Sequence, residues 1–179
     1  MFLVYKISTY LVFPIFFLIL CLRIILKKET FESLYQKTFP QKNFNFKSDS
    51  CIWFHAASIG EALSIFPIIN DIKKRRENTF ILITTNTLSS AKIVREKMKN
   101  YEDIDHKFFP LDNPIIIRRF LNIWKPKLAI FVDSEIWPNF LSILKEKNTK
   151  LILLNARITN KTLNRWRYVK FSAKIIFNC

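Results

Sequence analysis

Short apolar runs alternate with segments of helical periodicity between residues 51 and 155, and this alternation constrains the fold more than any other feature. The apolar runs predict strands near 51–57, 79–85, 105–109, 127–132 and 150–155. The segments between them predict helices at 60–75, 89–99, 114–124 and 136–147. Strands that alternate with helices in this way predict an α/β fold, a doubly wound parallel sheet. Residues 174–179 are predicted to form a sixth strand, where the sequence ends.

Polar residues follow four of the predicted strands at the point where each strand ends. At or just after the strand ends, they are His55, Ser58 and Glu61 for the first strand, Thr85 and Thr87 for the second, Asp133, Glu135 and Asn139 for the fourth, and Asn155 and Arg157 for the fifth. In open α/β sheets, ligands bind beyond the carboxyl ends of the strands. The sequence therefore predicts a single concave site at this edge of the sheet.

Gly60 is the only glycine in the 179 residues, and it lies where the first strand hands over to a helix. A single glycine at such a turn indicates a backbone that bends tightly or that a ligand approaches closely. Glu61 follows at the helix start, where the helix dipole favours a carboxylate. A purely structural interpretation stays open, in which Ser58 is an N-cap and Glu61 only a partner of the dipole. A Rossmann dinucleotide site is not expected, because its GxGxxG motif needs three glycines.

The charge of the chain is +15, from 29 Lys and Arg against 14 Asp and Glu. The basic residues are scattered over predicted helices without a nucleic-acid-binding signature, so no nucleic-acid partner is expected. An anionic membrane surface fits the charge better, with a merely solvated basic surface as the alternative. Three cysteines without a CxxC pair and only two histidines predict reduced thiols, a cytosolic compartment and no metal site.

The amino terminus is predicted to hold the chain at a membrane. Residues 7–22 carry no charge and as a helix span about 24 Å, short of the roughly 30 Å hydrocarbon core. The segment is therefore either a tight single span or a deeply inserted interfacial helix. A cleaved signal peptide is disfavoured, because no small-residue cleavage site follows Leu22. We expect an anchor helix at 1–28, a linker at 29–50 and a globular domain at 51–179, and if the helix spans, its flanking cations place that domain in the cytoplasm.

Six segments together resemble the amino-terminal half of the 3-deoxy-D-manno-octulosonic acid (Kdo) transferases. They read HAASIGE from His55, TTNT from Thr84, FFPLDNP from Phe108, RRFLNIWKPKLAIF from Arg118, SEIWPN from Ser134 and LNARIT from Leu154. They occur in the family's order and at its approximate spacing. Two positions depart from the family pattern: the turn after Thr87 lacks the usual glycine, and Asp133 stands where the family has Glu.

The resemblance implies a Rossmann-like domain of a two-domain glycosyltransferase (GT-B), without a cofactor or metal, at the cytoplasmic face of the bacterial inner membrane. The donor would be CMP-Kdo, the acceptor a glucosamine hydroxyl of a lipid A precursor, and the reaction inverting. Glu61 would be the general base. The acceptor-binding set would be His55, Ser58, Gly60, Thr85, Thr87, Asp133, Glu135, Asn139, Asn155 and Arg157. For Arg157, a tie to a helix end or to Glu135 is an equal alternative.

The resemblance also implies that the donor domain lies outside these 179 residues, because the chain is a fragment, the gene is split or the gene has decayed. The alternative function is a non-catalytic, membrane-anchored module that binds a lipid or a partner. Trp137 and Pro138 are expected to pack and not to contact a ligand.

Overall fold

Five parallel strands form one sheet in the computed structural model, which describes residues 2–41, 50–76, 78–133 and 137–156. In chain order they are β1 (Cys51–His55), β2 (Phe80–Thr85), β3 (Ile104–Phe108), β4 (Leu128–Val132) and β5 (Lys150–Leu154). Their order across the sheet is β3-β2-β1-β4-β5. The chain runs outward from β1 to β3, returns to β4 beside β1, and runs outward again to β5. The direction therefore switches between β1 and β4, the point at which such sheets bind ligands.

Within the described residues, six helices accompany the sheet: α1 (Phe2–Ile25), α2 (Phe31–Thr38), α3 (Ile59–Arg75), α4 (Leu88–Lys97), α5 (Pro114–Trp124) and α6 (Pro138–Glu146), with a 3-10 turn at Met98–Asn100. Helices α3 and α4 pack on one face of the sheet, and α5 and α6 on the other. This confirms the predicted doubly wound α/β sheet, and the bounds of the predicted elements differ from the observed ones by two residues at most. The predicted sixth strand lies outside the described residues.

Strand β1 builds a core on each face because successive side chains point to opposite sides of a sheet. Trp53 is fully buried among Phe120, Phe131 and Phe140 on the face of α5 and α6. Its neighbour Phe54 is fully buried on the face of α3 and α4. The indole nitrogen of Trp53 donates to the Thr84 hydroxyl at 2.9 Å, so its one polar atom is satisfied. The central strand is therefore fixed from both sides.

The segment predicted as a linker, 29–50, contains the helix α2. Thr30 caps it and exchanges hydrogen bonds with Ser33, and this reciprocal pair is the local reason that the helix starts there. The side-chain oxygen of Gln36 accepts from the Phe108 amide at 2.9 Å, and the Lys37 carbonyl accepts from the Leu111 amide at 3.0 Å. Helix α2 thus covers the end of edge strand β3, which would otherwise expose unpaired backbone groups.

Cys21 lies in α1 and Cys51 opens β1, as the sequence predicts, and neither of the two is in a disulfide. Between Tyr5 and Ile25, α1 is long and apolar enough to cross a membrane. Length and composition alone do not distinguish a span from a helix that lies on the surface.

Candidate functional site

The turn from β1 to α3 holds Glu61 in a reciprocal cap. The Ser58 hydroxyl accepts from the Glu61 amide at 3.3 Å and donates to Glu61 Oε1 at 2.7 Å. Glu61 Oε2 accepts from the Ala57 amide at 2.8 Å. Ser58 is therefore the N-cap of α3, as the structural interpretation predicts. The Glu61 side chain is half-buried at the switch point of the sheet, and a carboxylate with about four lone-pair sites can still accept a further hydrogen bond.

Gly60 lies in the first turn of α3 and is exposed. Its φ is not in the left-handed region, and a Cβ added there would meet no atom within 4 Å. The prediction of a tight bend is therefore wrong, because Gly60 lies in the first turn of an α-helix, whose backbone conformation does not require glycine. The other prediction, that a ligand approaches this backbone closely, stays a prediction and gains the open space that it needs.

His55 and Thr85 end their strands with side chains directed into the core. His55 is fully buried, with its ring stacked on Phe109 at 3.7 Å between centroids and Nδ1 3.0 Å from the Thr84 hydroxyl. Thr85 is fully buried, and its hydroxyl lies 2.9 Å from His106 Nε2. Neither side chain reaches the surface of the site in this structure. Both instead hold the strand ends in place through contacts within the core.

A network of polar side chains that the sequence did not predict supports the carboxyl edge of the sheet. The guanidinium of Arg95 donates to His106 Nδ1 at 3.2 Å and pairs with Glu32 of α2. Because Nδ1 accepts, Nε2 carries the proton and donates to Thr85. Burial, with the nearby cations of Arg95 and Lys107 adding to it, lowers the pKa of His106 from its usual 6.5 to about 3. His106 is therefore neutral and structural.

Helix α4 begins beside the β1–α3 turn. The Thr87 hydroxyl caps it by accepting from the Ser90 amide at 3.2 Å, and the Ser90 hydroxyl donates to the Ala57 carbonyl at 3.4 Å. Helix α4 therefore starts regularly without a glycine after Thr87. The amino termini of α3 and α4 meet at Ala57, and their partial positive charges favour an anion in front of them.

Asp133 and Asn155 meet at the ends of the adjacent strands β4 and β5. Asn155 Nδ2 donates to Asp133 Oδ1 at 2.6 Å, and the Asp133 amide donates to the Leu154 carbonyl at 2.8 Å. Both residues have left-handed φ, 59° and 57°, which Asp and Asn tolerate better than most residues. The Asp133 side chain thus reaches its amide partner across the two strand ends. Glu135 and Arg157 lie outside the described residues.

Asn139 does not join this group. It is buried, and its Nδ2 donates to the Asp112 carbonyl at 2.9 Å and to the Thr9 hydroxyl of α1 at 3.2 Å. Asp112 also accepts from the Tyr5 hydroxyl at 2.5 Å. Burial raises the pKa of the Asp112 carboxyl, against the hydrogen bonds from Tyr5 and Asn139 that lower it. Asn139 therefore ties α6 to α1 through Asp112.

A cavity of about 270 Å³ lies between α1 and the carboxyl edge of the sheet. Its wall is mainly apolar, with polar groups from both sides. The lining residues are Tyr5, Thr9, Phe13, Phe16, Leu20, Lys37, Asn86, Phe109, Pro110, Leu111, Asp112, Asn113 and Trp137. Trp137 also packs on Phe109 at 6.0 Å between centroids, in agreement with its predicted packing role.

Within the described ranges, no three His, Cys, Asp or Glu side chains lie together as a metal centre would require. The expectation that the reaction needs no metal stays a prediction. The chemistry that the edge offers is that of two oriented carboxylates, Glu61 and Asp133, with hydroxyl and amide groups and two helix amino termini.

Comparison with known proteins connects this edge to one family. The sequence profile of the family described as "3-Deoxy-D-manno-octulosonic-acid transferase (kdotransferase)" matches residues 29–179. The 3-deoxy-D-manno-octulosonic acid transferase of Rickettsia typhi is 43% identical over 134 residues, which cover 73% of this chain and 28% of the relative. That of Rickettsia bellii is 34% identical over 165 residues, which cover 91% of this chain and 38% of the relative.

A plant protein matches as well. The probable mitochondrial 3-deoxy-D-manno-octulosonic acid transferase of Arabidopsis thaliana is 38% identical over 117 residues, which cover 65% of this chain and 26% of the relative. The chain thus spans between about a quarter and two fifths of the length of these curated relatives. The matched profile covers most of the chain, including the whole sheet and the Ser58–Glu61 cap. The chain therefore belongs to the 3-deoxy-D-manno-octulosonic acid transferase family and corresponds to its amino-terminal domain.

Proposed function

We propose that this chain is the acceptor half of a Kdo transferase that moves Kdo from CMP-Kdo to a lipid A precursor in lipopolysaccharide core synthesis. The observation that carries the proposal is the oriented Glu61 carboxylate at the switch point of the sheet, in a chain of this family. The donor would bind a second Rossmann-like domain in a GT-B arrangement, supplied by a further part of the enzyme or by a partner chain.

Glu61 is the general base in this proposal. An acceptor hydroxyl oxygen attacks the anomeric carbon of Kdo, CMP leaves with the electrons of the broken bond, and the hydroxyl proton passes to the Glu61 carboxylate. The hydrogen bonds from Ser58 and Ala57 fix the direction of that carboxylate before the acceptor arrives. Such positioning matters because a general base acts only within hydrogen-bond reach of the proton. The reaction inverts the anomeric centre and uses neither a metal nor a resident cofactor.

The acceptor lies across the ends of β1, β4 and β5. The Asp133–Asn155 pair would hold its sugar hydroxyls, and the exposed Thr87 would border it on the side of β2. The adjacent amino termini of α3 and α4 suit a phosphate group of a lipid A precursor. His55 and Thr85 act from within the core by holding the strand ends in place. Gly60 leaves open space for the approach of the acceptor.

A non-catalytic lipid-binding module is the second candidate. It is favoured by the same cap, since both carboxylate oxygens of Glu61 already have structural partners. Transfer assays with CMP-Kdo and lipid A precursor in detergent separate the two candidates. The chain would be assayed alone and mixed with a donor-domain chain from the same cell. Product in either sample supports the transferase, whereas retained acceptor binding without product in both supports the module.

A further inference from the structure

Helix α1 lies along the carboxyl edge of the sheet and does not project from it. Near its amino end, Tyr5 donates to Asp112 at 2.5 Å, and Thr9 meets Asn139 at 3.2 Å. Leu20, near its carboxyl end, is buried. Positions 5, 9 and 20 fall on one face of a helix. The contacts with the domain therefore extend over most of the helix length.

The carboxyl end of α1 is tied to the same edge through charged groups. Arg23 lies 3.5 Å from Glu29, and the buried Glu29 pairs with Lys37 of α2 at 2.7 Å. Lys37 Nζ in turn donates to the Asn86 carbonyl at 3.0 Å, directly after β2. Burial lowers the pKa of Lys37, against the carboxylate of Glu29 that raises it, as expected for a paired amine taken out of water.

These contacts are incompatible with a helix that crosses a bilayer in this arrangement. Tyr5 and Arg23 are separated by about 27 Å along the helix, close to the roughly 30 Å thickness of the hydrocarbon core. If α1 crossed, the Tyr5–Asp112 contact and the Glu29–Lys37 pair would lie near opposite boundaries of the core. The strand ends between them, with their polar side chains and turns, would then lie in hydrocarbon, where loops and charges are strongly disfavoured.

The outer face of α1 is a continuous apolar surface. Leu11, Leu18 and Ile25, each seven residues apart, are exposed by 73%, 60% and 76%. An exposed apolar surface of this extent marks an interaction site. The cations at its ends are Lys6, Arg23, Lys27 and Lys28. Cations beside an anionic leaflet contribute about 1 kcal/mol each, and the chain carries a net charge of +15. Both features point to an anionic lipid surface.

We propose that α1 lies in the plane of the membrane surface, with its inner face on the sheet edge and its outer face in anionic lipid. The cavity between α1 and the sheet and the carboxyl edge with Glu61 then lie beside the headgroups. A lipid acceptor would reach the base without leaving the bilayer surface. The inference rests on the proposed function only for the identity of that lipid.

Thiol labelling from each side of a sealed membrane tests the orientation in the full-length chain. In a background with Cys21, Cys51 and Cys179 replaced by Ala, one variant carries Lys6→Cys and another Lys28→Cys. A membrane-impermeant maleimide is added to inverted inner-membrane vesicles and to spheroplasts. The exposed Lys74→Cys in α3 is the control for the cytoplasmic side.

The in-plane helix predicts that all three thiols react in inverted vesicles and that none reacts in intact spheroplasts. Labelling of Lys6→Cys only in spheroplasts, with Lys28→Cys still cytoplasmic, would show a transmembrane span and overturn the proposal. These outcomes do not depend on Kdo transfer, so the failure of the orientation and the failure of the function are distinguishable.

Flotation on vesicles tests the occupant of the outer face. The chain is mixed with phosphatidylglycerol–phosphatidylcholine vesicles or with phosphatidylcholine alone. The triple variant Leu11→Ser, Leu18→Ser, Ile25→Ser is expected to lose at least tenfold in vesicle affinity, while the unchanged chain prefers the anionic vesicles. Equal flotation of variant and unchanged chain would contradict the proposal. So would a stable dimer that this variant converts to a monomer without an effect on flotation.

Discussion

The Ser58 hydroxyl donates to Glu61 Oε1 at 2.7 Å and accepts from the Glu61 amide, so one serine holds both the backbone and the carboxylate of the proposed base. The cap explains why helix α3 begins where it does. It also makes the cap and the base separable by mutation, because a Gln side chain can accept from the Ala57 amide and donate to the Ser58 hydroxyl but cannot accept the proton at neutral pH.

Ser58→Ala is expected to destabilise the fold by about 1 kcal/mol, since it removes the N-cap of α3. Kdo transfer should fall by less than tenfold, because the Ala57 amide still orients Glu61 Oε2. Urea unfolding and initial transfer rates measure the two effects. Ser58→Thr is the matched control, since it keeps a capping hydroxyl. Unchanged stability in Ser58→Ala would show that the cap contributes nothing.

Gly60→Ala separates an approach by the acceptor from a backbone requirement. The fold should be as stable as before or more stable by up to about 1 kcal/mol, because Ala is the better helix former and its Cβ meets no atom. The KM for the lipid acceptor should rise severalfold if the acceptor approaches this backbone. Lys74→Ala, exposed at the other end of α3, is the control. An unchanged KM would exclude a close approach at Gly60.

Asn155 offers a test of the acceptor pair that accounts for its left-handed backbone. Asn155→Ala loses both the amide that contacts Asp133 and the tolerance for φ of 57°, so we expect a stability loss of about 1 kcal/mol and weaker acceptor binding. Asn155→Gly restores the backbone but not the amide. Titration of both variants with the acceptor decides whether the Asn155 amide takes part in binding. Normal acceptor binding by Asn155→Gly would show that it does not.

His106 should make stability depend on pH. Its pKa is about 3 in the fold and near 6.5 when unfolded, so the unfolded chain binds more protons between these values. The contribution of neutral His106 to the free energy of unfolding is fully present above pH 6.5. It is lost as the pH falls towards 3, by at most about 1.4 kcal/mol per pH unit. Urea unfolding at pH 5 and pH 7 measures this slope. His106→Gln should be less stable at pH 7 and should show a smaller slope. If the unfolding free energy of both proteins changed equally with pH, the pH dependence would belong to groups other than His106.

The fold can be predicted from the hydrophobic periodicity of the sequence. Each predicted strand is a short apolar run, and the helices carry capping residues such as Ser58, Thr87 and Asn113 at their starts. Helix α2 escaped prediction because its eight residues depend on docking against β3 through Gln36. The only local signal was the pair Thr30 and Ser33, which differs from the usual Ser/Thr–Glu capping box.

The sequence predicts the sheet edge at which the candidate residues lie, but not the direction of every side chain along it. His55 and Thr85 lie at strand ends as predicted, yet both side chains point into the core. There His55 stacks on Phe109, and Thr85 contacts His106. Which face a strand-end residue takes depends on register and on the helices that cover it. The contact of Asn139 with Thr9 joins residues 130 positions apart, and no local pattern predicts such a pair.

Glu61→Gln tests the central claim most directly. In the assembled transferase, kcat for Kdo transfer should fall at least 100-fold, in line with the loss of a general base, while the acceptor KM and the unfolding free energy change little. The retained stability would show that the cap survives. A kcat within about threefold of the unchanged enzyme, far smaller than the loss of a general base causes, would contradict the assignment of Glu61 as the base and leave it only its role as a helix cap.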